Sequence, residues 1–289
     1  MASPFHPGEQ WVQEVVGVRA RAEAVGSAFI RSEMPAQHQD FFGLLPWLLV
    51  ATVDPDGQPH VSVVVGAPGF VRAPDATHLV IAARPLPGDP LERTLRPGAD
   101  VGILGLEPGT RRRNRANGRV VEVGDTFTVH VEQSFGNCPK YIVPRPVAYA
   151  PGPVGRDIVR LDRLDAAVTR RLEEADTFFL ASARPREGGF DVDMSHRGGP
   201  PGFVRVEGDT LTFSDFVGNN FFNSLGNLHA HPSAGLLFVD RATGDRLHIT
   251  GEAEIAWAEA SRQVGVHVRE VTVVSGPLPL VWGDEAPRR

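Results

Sequence analysis

The chain repeats itself once, and that repeat limits its folds more than any other feature. Gly69-Phe-Val-Arg72 returns as Gly202-Phe-Val-Arg205, Gly102-Ile-Leu104 as Gly235-Leu-Leu237 and Gly118 as Gly251, each displaced by 133 positions. Around these anchors Leu48-Leu-Val-Ala-Thr52 answers Phe178-Phe-Leu-Ala-Ser182, and Asp89 to Leu95 answers Asn219 to Leu225. Two copies are too few to stack as a solenoid, so the chain reads as a tandem pair of similar units. Its 289 residues give each copy the size of an ordinary domain. The segment from Pro144 to Pro153 also carries Pro146 and Pro151 and reads as the linker. The expected division is residues 1–150, an N-terminal helical segment with the first unit, and residues 151–289, the second unit.

Each copy has the texture of an antiparallel β-structure. Trp47 to Val53, the turn Asp54-Pro-Asp-Gly57, and Pro59 to Val65 read as strand, turn, strand, rich in β-branched residues. His78 to Ala83, Val101 to Leu106 and Arg119 to Val123 continue the pattern, as does a hairpin from Val204 to Phe213 around Glu207-Gly208-Asp209. Strands at such short intervals favour a barrel or sandwich over alternating βαβ units. Helix-like spacing runs from Glu9 to about Ile30, and a second short helix is expected from Met34 to Leu45 before Pro46. The fold class is therefore mainly β with flanking helices.

Charge and cysteine content narrow the partners. A net charge of -6 and a pI near 5.9 argue against a nucleic-acid binder, and the one basic cluster, Arg111-Arg112-Arg113-Asn114-Arg115, is local. Cys138 is the single cysteine, which excludes an intramolecular disulfide. No apolar run reaches the ~18 residues of a membrane span, so a cytoplasmic protein with no membrane partner is expected. No nucleophile triad, Walker loop or zinc spacing stands out. His229 and His231 lack acidic or thiol companions and read as a helix end and turn, Cys138 as a small buried residue, and Trp282 as a C-terminal anchor.

The stretch from Met194 to Asn227 is the densest in ligand-binding groups. Ser195, His196 and Arg197 place a hydroxyl, an imidazole and a guanidinium in a row, and an Arg fork suits phosphate geometry. Gly198-Gly-Pro-Pro-Gly202 forces a turn. Gly218-Asn219-Asn220 then precedes a helix start, where free N–H groups favour an anion.

With these residues together, the chain resembles the FMN-binding split barrels related to pyridoxamine 5'-phosphate oxidase. The resemblance rests on DMSHRGGPPGFVRV, GDTLTFSDFVGNNFFNSLGNL, SAGLLFVD and GDRLHITGEAEI in the second half, with QSFGNCPKYIVPR ending the first. It implies a six-stranded Greek-key barrel with flanking helices in each copy, and flavin in the groove between two barrels. It places phosphate and ribityl contacts at Ser195, His196, Arg197, Ser214, Asn219 and Asn220. The flavin ring is then expected against Phe213-Ser214-Asp215 and the strand carrying Arg246 and His248. Family enzymes that oxidise pyridoxamine phosphate have Arg and Lys where this chain has Met194, Ser195 and His196, a departure that speaks against a vitamin B6 substrate.

The two copies are not equivalent. The first has Ser62-Val-Val-Val65 in place of Ser195-His-Arg197, and Pro87-Gly-Asp-Pro90 puts a carboxylate and a residue without N–H where an anion would bind. It keeps Arg111 to Arg115, with Arg113 and Arg115 among them, and Asn117, aligned with Arg246 to Thr250 of the second copy, and the run Gln133 to Tyr141. The expectation is one FMN per chain, bound chiefly by the second copy with the first as opposite wall. The function that follows is an FMN-dependent oxidoreductase acting on a small organic molecule with an electron donor or acceptor. The alternatives are a flavin carrier or electron-transfer protein, or a split barrel holding haem or deazaflavin. A homodimer of tandem chains is expected from the apolar Trp11, Phe29, Phe41, Phe42 and Pro277 to Trp282.

Overall fold

The computed structural model describes residues 3–258 and 262–284. Three helices lead in: α1 (Pro7–Val15), α2 (Arg19–Phe29) and α3 (Ala36–Gly43). The single helix expected from Glu9 to Ile30 is thus two, because Gly17 takes a left-handed φ of 73° that ends the first. The first half continues through β1 (Trp47–Val53), β2 (Pro59–Val65), β3 (Val71–Asp75), β4 (His78–Ile81), the single turn α4 (Leu91–Thr94), β5 (Asp100–Glu107), β6 (Arg112–Val123) and β7 (Phe127–Gly136). After β8 (Val147–Tyr149) and β9 (Asp157–Leu161) come α5 (Ala166–Glu174), β10 (Thr177–Arg186), β11 (Gly189–Gly198), β12 (Val204–Glu207), β13 (Thr210–Ser214), α6 (Asn223–Ala230), β14 (Ser233–Val239), β15 (Arg246–Trp257), β16 (Arg262–Ser275) and β17 (Leu280–Trp282).

The repeat read in the sequence is a repeat of topology. The first sheet has the order β2-β1-β5-β6-β7-β4-β3 and the second β11-β10-β14-β15-β16-β13-β12, with β9 added beside β16. The pairing Ile103↔Ala116 is answered by Leu236↔Ile249, and Leu49↔Val63 by Phe179↔His196. This register makes Arg113 the counterpart of Arg246, Arg115 of His248, and Ser62 of Ser195. The fold is mainly β with flanking helices, as expected, and its strands pair antiparallel throughout. One strand is longer than the sequence pattern gave: β6 begins at Arg112, so the arginine cluster from Arg112 onward is strand, with Arg111 in the turn before it.

Why β1 and β10 are continuous apolar runs is plain from their two faces. Successive side chains of a strand alternate, so Leu48 and Val50 fill the first core while Leu49 and Ala51 face the other barrel. On β10, Phe178 and Leu180 enter the second core, and Phe179 and Ala181 meet Leu49 and Ala51 between the barrels. Trp47, Val61, Val63, Met194 and Leu237 complete this middle layer. Close approach there requires glycine: a Cβ on Gly102 would lie 2.7 Å from Val192 O, and one on Gly235 2.3 Å from Pro59 O.

The apolar surface behind the expected homodimer is largely used within the chain. Phe41 and Phe42 are buried in the first core. Trp11 stacks on His229, and Trp282 packs edge-on against Trp47. β17 pairs with β8, so the proline-rich linker itself carries a strand. Phe29 on α2 and Val281 on β17 stay about half exposed, and Trp11 keeps part of its surface open. No helix among the described residues is long and apolar enough to cross a membrane.

Candidate functional site

A cleft opens where β11 and the start of α6 face β6 of the other half. Ser195, His196, Arg197, Ser214, Asp215, Asn219 and Asn220 line it from the second half, and Arg113 and Arg115 from the first. Ser195 Oγ shares a hydrogen bond of 2.6 Å with Ser224 Oγ and accepts another from Arg115 Nη2. Arg115 Nη1 donates to Asp193 Oδ1 at 2.8 Å, and Asn117 and Asn227 each donate to Asp193 at 2.9 Å. Burial holds the Arg115 guanidinium below its usual range.

Among the described residues, Arg113 has no carboxylate partner. Its Nη2 donates to Cys138 O and its Nη1 to His196 Nδ1 at 3.3 Å. Burial, with Arg115 and Arg197 beside it, pushes its pKa down to about 10. Burial, with Arg113 and Arg197 beside it, holds His196 well below the usual imidazole range. His196 is therefore neutral, and accepting at Nδ1 leaves its proton on Nε2. Arg197 Nη1 donates to Asp215 Oδ1 at 2.8 Å, and the same carboxylate takes Arg262 Nε at 3.0 Å.

Three arginines thus converge on a cleft whose wall carries one carboxylate, and that one already serves two of the protein's cations. The Nε atoms of Arg113, Arg115 and Arg197, and Asn137 Nδ2, are buried without a hydrogen-bond partner. Buried donors left unpaired cost on the order of 1–3 kcal/mol each, so such a group calls for a ligand or ordered water. Backbone strain collects in the same place. Among the described residues the left-handed non-glycines are Arg111, Tyr141, Asn220 and Phe222; the last three line the cleft, and Arg111 lies just outside it.

Not every expected residue comes to the cleft. Phe213 points into the second core, its ring 6.0 Å beneath Arg197. Asn117 lies behind Arg115 and reaches Asp193 only. Arg246 and His248 sit at the pseudo-symmetric position across the molecule, because the two-fold that brings β6 to β11 brings β15 to β2. Arg246 Nη2 donates to Gly155 O at 3.0 Å, and His248 Nδ1 to Val61 O at 2.9 Å. There Asp89 fills the anion position itself: its carboxylate accepts from Val63 N at 3.2 Å and Leu91 N at 2.9 Å and lies 4.0 Å from His248 Nε2. Ser62 Oγ, His248 Nε2 and two nitrogens of Arg246 are also unpartnered, but beside a carboxylate already in place.

Several cleft residues carried little signal in the sequence. Ser224 lies in a segment matched between the copies, where its counterpart is Thr94; the hydroxyl recurs, but nothing in that pairing marks it as a cleft residue. Asp193 and Glu9 were not singled out. Glu9 is buried, takes hydrogen bonds from His6 N at 2.8 Å and from Asn223 Nδ2, and ties α1 to the start of α6. Tyr141, within the run Gln133 to Tyr141, stacks on Phe216 and donates to Val217 O at 3.2 Å.

The resemblance read in the sequence is borne out by comparison with known proteins. Residues 164–274 match the family model described as pyridoxamine 5'-phosphate oxidase. Among solved structures, HupZ of Group A Streptococcus is 17% identical, with 43% of this chain and 100% of that one covered and a TM-score of 0.29. The heme storage protein HutZ from Vibrio cholerae is 12% identical, covers 43% of this chain and 97% of its own, and has a TM-score of 0.23. A structure described as F420 reductase is 18% identical, with 38% and 91% covered and a TM-score of 0.22. No curated protein matches the chain.

Proposed function

We propose that this cleft binds the phosphate end of FMN and that the protein is an FMN-dependent oxidoreductase acting on a small organic molecule. The observation that carries the reading is the set of three guanidiniums turned on one cleft with their Nε atoms buried and unpaired. A phosphate supplies the missing charge and acceptors, and hydrogen bonds between Arg and phosphate are among the stronger ones. Arg113 and Arg197 hold the anion, Ser195 and Ser224 add hydroxyls, and Asn219 and Asn220 line the outer wall. When bound, the flavin supplies the redox chemistry. The chain supplies orientation: neutral His196 fixes Arg113 by accepting from it, and Asp215 fixes Arg197. The match to the pyridoxamine 5'-phosphate oxidase family model over residues 164–274 supports a flavin.

The test is the visible spectrum of the purified protein, followed by titration of the stripped protein with FMN and riboflavin. A flavin spectrum and a clear preference for FMN support the reading, with anaerobic reduction and reoxidation by an added acceptor separating enzyme from carrier. A haem or deazaflavin spectrum, or equal affinity for the two flavins, overturns it.

A further inference from the structure

The cleft does not end at Arg113. It continues outward into an open trough of about 560 Å³, against about 100 Å³ for the inner cleft, and the two share Arg113, Asn137, Cys138 and Asn219 as a common wall. Segments distant in sequence build it: Val25 and Phe29 from α2, His38 from α3, the turn before β6, and the loops after β7 and β13. Its floor is apolar, and Phe29 is 54% exposed.

Its charge is one-sided. Arg111, Arg112 and Arg113 line the trough and, among the described residues, no Asp or Glu does, in a chain whose net charge is -6. Among the described residues neither Arg111 nor Arg112 has a carboxylate partner; Arg112 instead lies 4.7 Å over the ring of Phe41. His38 adds no charge of either sign, since burial and the nearby Arg31 and Arg112 lower its pKa and leave it neutral. Arg111 is held at φ 57°, a conformation that costs energy in a non-glycine residue. A basic rim over an apolar floor concentrates anions locally even on an acidic protein.

We propose that this trough is the docking site of the second reactant, an anionic molecule with a flat apolar body, held by Arg111 and Arg112 at its charged end and by Phe29 and Val25 along its body. The role as second reactant rests on the inner cleft being the cofactor site; the binding itself does not. An acidic aromatic substrate and a nicotinamide dinucleotide share this chemistry, and the experiment separates them.

The protein, with its cofactor bound, is titrated with NADPH and with an anilinonaphthalene sulfonate dye, an aromatic anion without phosphate. The variants are Arg111→Gly, which removes the charge at a position where glycine adopts the backbone freely, and the Arg111→Gly/Arg112→Ala pair. The pair is expected to weaken binding of at least one probe roughly tenfold, about the loss of one charge-assisted hydrogen bond, and to flatten its salt dependence. FMN affinity stays unchanged. Weakening of NADPH, with slower flavin reduction at low NADPH and an unchanged limiting rate, identifies a nucleotide reductant. Weakening of the dye alone identifies an acidic aromatic substrate. Unchanged affinity for both probes, or a parallel loss of FMN, overturns the proposal. If FMN does not bind at all but the probes respond, the cofactor reading fails and the docking site stands.

Discussion

At the scale of single residues, the cleft separates ligand-facing cations from structural ones. Arg113 has no carboxylate partner among the described residues, so Arg113→Ala is expected to weaken FMN by about 1.5–3 kcal/mol, the range for hydrogen bonds to charged groups, and to leave riboflavin binding nearly unchanged. Arg115 is different, because its loss strands the buried Asp193. Arg115→Ala is expected to lower stability by about 3–5 kcal/mol, read by urea unfolding without any ligand. That distinction was not legible in the sequence, where both arginines belong to one basic run and their partners lie about eighty positions away. Ser195, His196 and Arg197 were legible because one short strand carries all three. Arg246 and His248 were misplaced because a repeat shows which residues correspond, but not which cleft each copy's strand enters.

Glu9 gives a pH signature at the same scale. Burial, with Asp193 nearby, raises its pKa to about 8 from an ordinary 4.5. The folded state therefore keeps a proton that the unfolded chain gives up, and stability falls as pH rises from the unfolded value to about 8, then levels off. Glu9→Gln keeps a residue suited to the capping box and has no proton to lose. Its melting temperature is expected to gain on the wild type's as pH rises through that window, and parallel melting curves for the two proteins would remove Glu9 from this role.

At the scale of elements, the repeated glycines of the sequence each answer to a geometric need. Gly69 and Gly202 hold left-handed turns before β3 and β12, with φ of 93° and 85°. Gly118 and Gly251 sit at bulges in β6 and β15, where a Cβ would meet His130 O and His267 O. Gly102 and Gly235 let β5 and β14 touch the opposite barrel. Gly235→Ala is therefore expected to destabilise by about 1–3 kcal/mol, as overpacking does, in urea unfolding. Gly98→Ala, where nothing lies within 4 Å of the new methyl group, is strained only by its backbone φ of 84° and serves as the comparison. Strand ends were legible to within a few residues wherever both faces are buried, as on β1 and β2. The start of β6 was not, since its polar residues line a cleft and break the apolar alternation.

At the scale of the whole molecule, both walls of the arginine-lined cleft come from one chain. Affinity for FMN is expected to be independent of protein concentration under dilution, and saturation to come at one flavin per chain. A dissociation constant that rises as the protein is diluted would mean that a second chain completes the cleft. Asp89 bears on how such an asymmetric molecule arises. In a dimer of identical subunits every substitution is made twice, so a carboxylate that fills one cleft fills both and ends binding altogether. Joining the halves in one chain releases the two clefts from that constraint: one is free to turn inward and become scaffold, while its twin drifts toward new chemistry under undivided selection.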